Sequence, residues 1–329
     1  MIEISSVISE YGKHIMGKFE FENGDVLEDV CVEYLIKGTP KYDEEGNITN
    51  AILYCHNFGG DCSSLNDISL LMVEEGPFDL NKYLLISISS LGFPQSCCPS
   101  STGLKYNFPK YTVEDCVNFK RQFIKEKFNL DSVLGIISHG LGGYEAFSWA
   151  CDYPDNVKFI IVCGSFYKTS GYRYVVSKGI ASIIESSEEY YEDVYSDSLA
   201  QIMVSISKLL YSNYFSKKIF QKMSREEIDV LMDHFGEEGL YVDVYDFKYR
   251  NDSIISFDDE DKLENITSKI LLVNPDDDVY YSQEELLSIK NVVKDAEVLI
   301  FESADDYLKY DDYSVFSDEF TSFMKKNNF

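Results

Sequence analysis

Gly135-Ile136-Ile137-Ser138-His139-Gly140-Leu141-Gly142-Gly143 follows the apolar pair Val133-Leu134 and leads into residues 144–150, which are helical in composition. A chain that turns from strand to helix this sharply leaves room only for small side chains two positions before and two after its apex. Centred on Gly140, those positions hold Ser138 and Gly142, with Gly143 next. Centred on Ser138, the first would hold the bulky Ile136. The stretch therefore reads as an elbow of the kind that presents a catalytic nucleophile, with Gly140 at the nucleophile position. Glycine has no side chain with which to attack an acyl carbon. Two other glycine-rich turns fit worse. A phosphate-binding P-loop needs Lys and then Ser or Thr after its glycines, whereas Tyr144-Glu145 follow here. A dinucleotide turn needs another glycine spacing and lies near the start of its fold.

Working outward, short apolar runs recur on both sides of the elbow. Residues 51–55, 83–88, 133–137, 159–163, 270–273 and 297–301 read as buried strands, and 113–128, 144–150 and 313–324 as helices, with Thr112 as an N-cap. Alternation in 19–27 and 30–36 around Asn23-Gly24 predicts an N-terminal hairpin. Strands alternating with helices over this length predict a mostly parallel sheet wrapped by helices. Between Ser165 and Asp261 the composition turns helical, notably in 199–210 and 224–235. The expected organisation is one α/β core, residues 1–164 and 262–329, carrying a helical cap insertion at 165–261 over the carboxyl edge of the sheet. No internal repeat or Pro-rich hinge marks a separable second domain.

Composition narrows the class. A chain of 329 residues, 45% of them hydrophobic, can bury a large core. A formal charge of −28, from 57 acidic and 29 basic residues, makes nucleic acid and anionic membrane poor partners. No basic region followed by an apolar run opens the chain, and no stretch reaches transmembrane length. The eight cysteines show neither a CxxC pair nor a Cys/His metal spacing, which suits a reducing cytoplasm with no structural metal and no resident cofactor. Adjacent Cys97 and Cys98 read as two thiols in a loop.

Blocks in order along nearly 300 residues resemble the homoserine O-acetyltransferase family of α/β-hydrolases. They include 21–27 with Val32-Glu33-Tyr34, residues 50–56, Gly76-Pro77 with Lys82-Tyr83, Leu91-Gly92 with Pro99-Ser100-Ser101, 107–109 with 112–115, and, after the elbow, Ala146, Trp149-Ala150 and 153–157. The resemblance implies the α/β-hydrolase fold and acetyl transfer from acetyl-CoA to the homoserine hydroxyl through an acyl-serine. It implies a triad in the chain order Ser, Asp, His, with oxyanion donors at the backbone N–H groups of Phe58 and Leu141 and a homodimer through the cap. Asp278, in the loop after 270–273, matches the triad acid. Where the family writes Gly-His-Asp, this chain has Ser303-Ala304-Asp305, so Ala304 occupies the histidine position. The chain's histidines are His14, His56, His139 and His234, and none follows Asp278.

Two of three triad side chains are thus absent, and ordinary acyl transfer is not expected. One reading is a noncatalytic descendant that binds a small molecule or a partner. Asp278, without an imidazole partner and with Asp305 nearby, then favours an amine or a hard divalent cation over an anionic acyl-CoA. The alternative is a divergent acyltransferase or hydrolase using the oxyanion hole and Asp278, with Cys55, Cys62, Cys97 or Cys98 as a substitute thiolate. His56 reads as a structural hydrogen-bonding residue, and His234 as a residue of a cap helix.

Overall fold

The parallel strands form where apolar runs have no polar alternation, because both faces of such a sheet are covered. The computed structural model describes residues 7–192, 194–213, 215, 217–302 and 313–329. Its strands are β1 (Ile8–Glu20), β2 (Val26–Gly38), β3 (Ala51–Cys55), β4 (Leu84–Ile88), β5 (Val133–His139), β6 (Val157–Cys163), β7 (Lys269–Pro275) and β8 (Glu297–Phe301). They make one eight-stranded sheet in the order β1-β2-β4-β3-β5-β6-β7-β8. β1–β2 and β2–β4 pair antiparallel and the rest parallel. The hairpin is longer than the sequence suggested: β1 starts at Ile8, pairs Ile8 with Gly38, and runs to Glu20 opposite Val26. Its first half carries Glu10, Lys13 and His14 on exposed or half-exposed positions, which blurs the apolar pattern.

The helices are α1 (Pro99–Thr102), α2 (Val113–Phe128), α3 (Leu141–Asp152), α4 (Gly171–Glu185), α5 (Glu188–Tyr191), α6 (Asp197–Tyr211), α7 (Lys217–Lys222), α8 (Arg225–Gly239), α9 (Val244–Ile255), α10 (Gln283–Ser288) and α11 (Ser317–Lys326). Thr112 caps α2 as its residue type requires, accepting from the Asp115 N–H at 3.1 Å while Asp115 accepts the Thr112 N–H at 2.9 Å. Asp115 also accepts the Glu22 N–H at 2.8 Å, tying the hairpin turn to this helix. The expected last helix is split, with a 3₁₀ turn at Tyr313–Phe316 before α11.

Alternate residues of each central strand point to opposite faces. Leu53, Ile86, Ile136, Ile160 and Leu272 pack with Phe119, Phe147 and Trp149 of α2 and α3. Ile52, Leu85, Ile137, Ile161 and Leu271 pack with Phe78 and with Phe320 and Phe323 of α11 on the other side. The segment between β6 and β7 holds α4 to α9, with an apolar cluster around Ile180, Ile184, Met203, Ile206 and Tyr245. α9 is fastened to the core: Asp246 accepts from the Ser100 N–H at 2.8 Å and the Ser100 hydroxyl at 2.5 Å, and the Tyr249 hydroxyl donates toward the carbonyls of Tyr106 and Phe108. Among the described residues, no helix is long and apolar enough to cross a membrane.

Between α2 and α3 lies a buried ion pair. Lys120 Nζ stands 2.5 Å from Glu145 Oε2, with the side chains 1% and 2% exposed. Ser90 donates to Glu145 Oε1 at 2.7 Å and accepts from Lys120. Removing one partner strands the other charge in the core, whereas removing both does not. In urea denaturation, Lys120→Met is expected to cost about 3–5 kcal/mol, and Lys120→Met/Glu145→Leu to recover most of that loss. Equal losses in the single and double variants would contradict this.

Candidate functional site

Two carboxyl-end loops meet over the sheet. β3 ends at Cys55 and opens into His56-Asn57-Phe58-Gly59-Gly60; β5 ends at His139 and turns at Gly140 into α3. Gly140 has φ 52° and ψ −115°, a backbone state that side-chain-bearing residues rarely adopt. Its N–H donates to the Cys163 carbonyl at 3.0 Å, its carbonyl accepts from the Gly143 N–H at 2.9 Å, and the Gly142 N–H donates to the His56 carbonyl at 3.1 Å.

The space around each glycine differs. A Cβ on Gly142 would sit 2.2 Å from the Cys55 carbonyl oxygen, and one on Gly143 would sit 2.4 Å from Ser165 Cβ. Those two positions must be glycine for α3 to rest against β3 and the end of β6. A Cβ on Gly140 would meet nothing closer than Asn57 Cβ at 3.5 Å, ordinary contact. The apex thus has room for a side chain that it does not carry, and it faces the Asn57-Phe58 loop. Among the described residues, no acceptor is paired with the N–H of Phe58 or of Leu141. Leu141 opens α3, where N–H groups have no partner within the helix.

Asp278 lies in the loop after β7. Its carboxylate accepts from Asn274 Nδ2 at 3.1 Å and from the N–H groups of Tyr280 and Tyr281 at 2.7 and 3.0 Å. The loop is joined to α3 by the Tyr144 and Tyr281 hydroxyls, 2.5 Å apart, and Arg173 of α4 lies over the Tyr280 ring at 4.8 Å. Ala304 and Asp305 lie outside the described residues.

The four histidines have other occupations. His56 donates from its Nδ1–H to the Asn57 carbonyl at 2.9 Å and accepts the Ser90 N–H on Nε2 at 3.0 Å, so it is a neutral clip between the ends of β3 and β4. Burial, aided by the nearby Lys120 charge, pushes its pKa down to about 3. Burial pushes His139 down to about 4. His14 lies beside Glu126 at 3.2 Å, and His234, on α8, is exposed beside Glu238 at 3.3 Å. The thiols are equally unsuited to attack. Burial raises Cys55, Cys62 and Cys97 to about 12 and Cys98 above its ordinary value, so none is a ready thiolate.

Two features of this neighbourhood had no signal in the sequence. One is the Lys120–Glu145–Ser90 group, which reaches the Asn57-Phe58 loop through His56. The other is Arg250 of α9, whose Nη1 donates to the Phe58 carbonyl at 3.3 Å. Lys120 and Glu145 sit in ordinary helical stretches and Arg250 in a segment where no motif survives; only the fold brings them to the loops.

A sheet of this order, an elbow after β5 and an acid after β7 define an α/β-hydrolase. The chain belongs to the α/β-hydrolase fold family, which matches residues 50–312. Within it the chain is homoserine O-acetyltransferase-like. It is 32% identical over 308 residues to a probable acyltransferase of Methanothermobacter thermautotrophicus, covering 93% of this chain and 95% of that one. It is 30% identical to the homoserine O-acetyltransferase of Methanohalophilus mahii over 174 residues, 46% of this chain and 34% of that protein. The solved homoserine O-acetyltransferase of Bacillus anthracis shares the fold, with a TM-score of 0.82 and 18% identity over 96% of this chain and 98% of that one.

The glycine geometry gives a direct check. Gly140→Ser is expected to fold at a cost of about 1–3 kcal/mol, the strain of a side chain at that backbone angle. Gly142→Ala, which must push α3 off the Cys55 carbonyl, is expected to cost about 3 kcal/mol or more. Urea melts of the two variants decide it, and a Gly142→Ala protein as stable as the parent would contradict the packing described.

Proposed function

We propose that this protein is a noncatalytic member of the homoserine O-acetyltransferase-like group, which keeps the acyl-transfer scaffold as a small-molecule site and no longer forms an acyl-enzyme. The observation that carries this is the apex at Gly140: it has the elbow's backbone angle and space for a side chain, and no nucleophile. The sequence adds that no histidine follows Asp278, so the order acid then base cannot be completed. An oxyanion hole and binding alone retain roughly 10³–10⁴-fold over water in serine proteases stripped of their triad, far short of an enzyme's rate. The raised thiol pKa values count against a cysteine substitute.

In this reading Phe58 and Leu141 keep the oxyanion donors, Asp278 keeps the acid position, Gly140 and Ala304 are the lost positions, and residues 165–261 form the cap that closes the site. The test is thiol release from acetyl-CoA in the presence of homoserine, comparing the parent with Gly140→Ser/Ala304→His. The parent is expected to give only background, and the double replacement to release thiol. Release by the parent would overturn the reading in favour of a divergent acyltransferase or hydrolase; release by neither would mean that the pocket no longer accepts these substrates.

The Asp278 end of the site favours a positive group. Its carboxylate accepts hydrogen bonds from Asn274 and from the N–H groups of Tyr280 and Tyr281. With no histidine after Asp278 in the sequence, an amine or a hard divalent cation is the expected guest. Calorimetry with a primary amine, Mg²⁺ and Ca²⁺ is expected to show saturable heat with at least one of them, abolished by Asp278→Asn. No heat with any of them would refute this preference.

A further inference from the structure

The insertion between β6 and β7 leaves the core and returns to it through a single strap. Outgoing residues 167–169 and returning residues 257–259 pair antiparallel about a bridge between Lys168 and Asp258. The Thr169 N–H donates to the Phe257 carbonyl at 2.9 Å, and the Asp259 N–H to the Tyr167 carbonyl at 3.1 Å. Lys168 Nζ closes on Glu260 at 2.7 Å. Both chain connections of α4 to α9 cross here. In the 3₁₀ turn Glu260–Asn265 that follows, Lys262 fastens the strap to the core. Its Nζ stands 3.0 Å from Asp152 at the end of α3, 3.4 Å from Glu114 in the first turn of α2 and 3.1 Å from Asp259.

One ammonium is thus divided among three carboxylates. Glu114 and Asp152 are part-exposed and screened by water, whereas Asp259 is fully buried. Among the described residues, neither Asp259 oxygen has a hydrogen-bond partner beyond the Lys262 contact. The other titratable groups that face it from the elements packed around it are negative or neutral: Glu114 of α2, and Asp152 and the Cys151 thiol of α3. Glu22, in the turn between β1 and β2, lines the same cleft as Lys262, and Lys168 is engaged by Glu260. A buried carboxyl in such a place costs far less neutral than charged. Burial, opposed by Lys262 and reinforced by Glu114 and Asp152, pushes the Asp259 pKa up to about 6.

We propose that the strap is a proton-operated latch on the insertion: a proton on Asp259 frees Lys262 for Glu114 and Asp152 and seats the strap against α2 and α3, and loss of that proton loosens it. The neutral carboxyl neither competes for the ammonium nor carries the cost of a buried charge. The carboxylate does both, at the one place where both connections of the insertion cross. Because the pKa is raised, the folded protein keeps between about pH 4 and pH 6 a proton that the unfolded chain has released. The stability that Asp259 contributes is therefore full below about pH 4, falls as the pH rises to about 6 and stays low above it. The latch is tight in mild acid and loose at neutral pH. It concerns how the insertion is held to the core, and it stands whether or not the site beneath carries out acyl transfer.

The test is amide hydrogen exchange of the whole protein at about pH 5 and about pH 7.5, expressed as protection factors so that the intrinsic pH dependence of exchange cancels. In the parent, protection at Thr169 and Asp259, whose N–H groups close the strap, is expected to fall about tenfold or more between the two conditions, while Ile161 in β6 keeps its protection. Asp259→Asn, neutral at every pH, is expected to hold the acid-side protection at both. In thermal melts, the margin by which Asp259→Asn outlasts the parent is expected to widen by about a few degrees over the same range. Unchanged strap protection in the parent, or the same fall in Asp259→Asn, would overturn the proposal. Should Asp259→Asn fail to fold, NMR titration of the parent decides it. A side-chain carboxyl signal of Asp259 and a Thr169 amide signal that move together with a midpoint near 6 support the latch, and an Asp259 carboxyl already ionised at about pH 5, or a Thr169 amide that does not follow it, refutes it.

Discussion

The contact of Gly142 and Gly143 with the backbone of β3 and with Ser165 governs how the rest of the site can be built. Because α3 starts with no side chain in the way, its first turn presses against the Cys55 carbonyl, and the Gly142 N–H closes on the His56 carbonyl. That contact sets the sharp apex at Gly140 and points it at the Asn57-Phe58 loop. The Asp278 loop reaches the same helix through Tyr281 and Tyr144. An enzyme built this way would place a nucleophile at the one apex position where the packing leaves space for a side chain. The chain has kept the backbone strain and the surrounding glycines at a position where nothing is presented, and retaining them is what a binding scaffold derived from such an enzyme would do.

Charge is distributed with the same economy. The Lys120–Glu145 pair is sealed in the core and acts on the site only through Ser90 and His56, whose neutral ring clips two strand ends together. Removal of water makes such a pair strong and specific but rarely a net stabiliser compared with apolar packing, so its value is the fixed position of the loop above it. Arg250 is the contrast: a buried guanidinium that holds the Phe58 carbonyl of the same loop and has no acceptor at Nε.

Much of this was legible in the sequence, for identifiable reasons. The parallel strands were apparent because their runs are apolar on both faces, and α2 because Thr112 and Asp115 form a capping box at its start. Gly140 could be assigned to the apex because sterics alone exclude Ser138; in the structure it stands between β5 and α3 with φ 52° and ψ −115°. The extent of β1 was not legible, since an edge strand facing water carries charged residues that interrupt the alternation. Nor were Lys120, Glu145 and Arg250, which come together only through contacts between residues 25 to 192 positions apart. Such pairings leave no local pattern. Gly140 and Ala304 stand out in the sequence because each departs from a motif with a stated chemical need.

Intact-mass analysis after exposure to a fluorophosphonate tests the central claim most directly, since the reagent reports an activated nucleophile without requiring the physiological ligand. The account predicts no adduct on the parent and a single adduct at position 140 of the Gly140→Ser/Ala304→His protein. An adduct on the parent would contradict it by revealing a nucleophile other than the one that Gly140 replaced, and an unlabelled double replacement would contradict the claim that the scaffold of the site is intact.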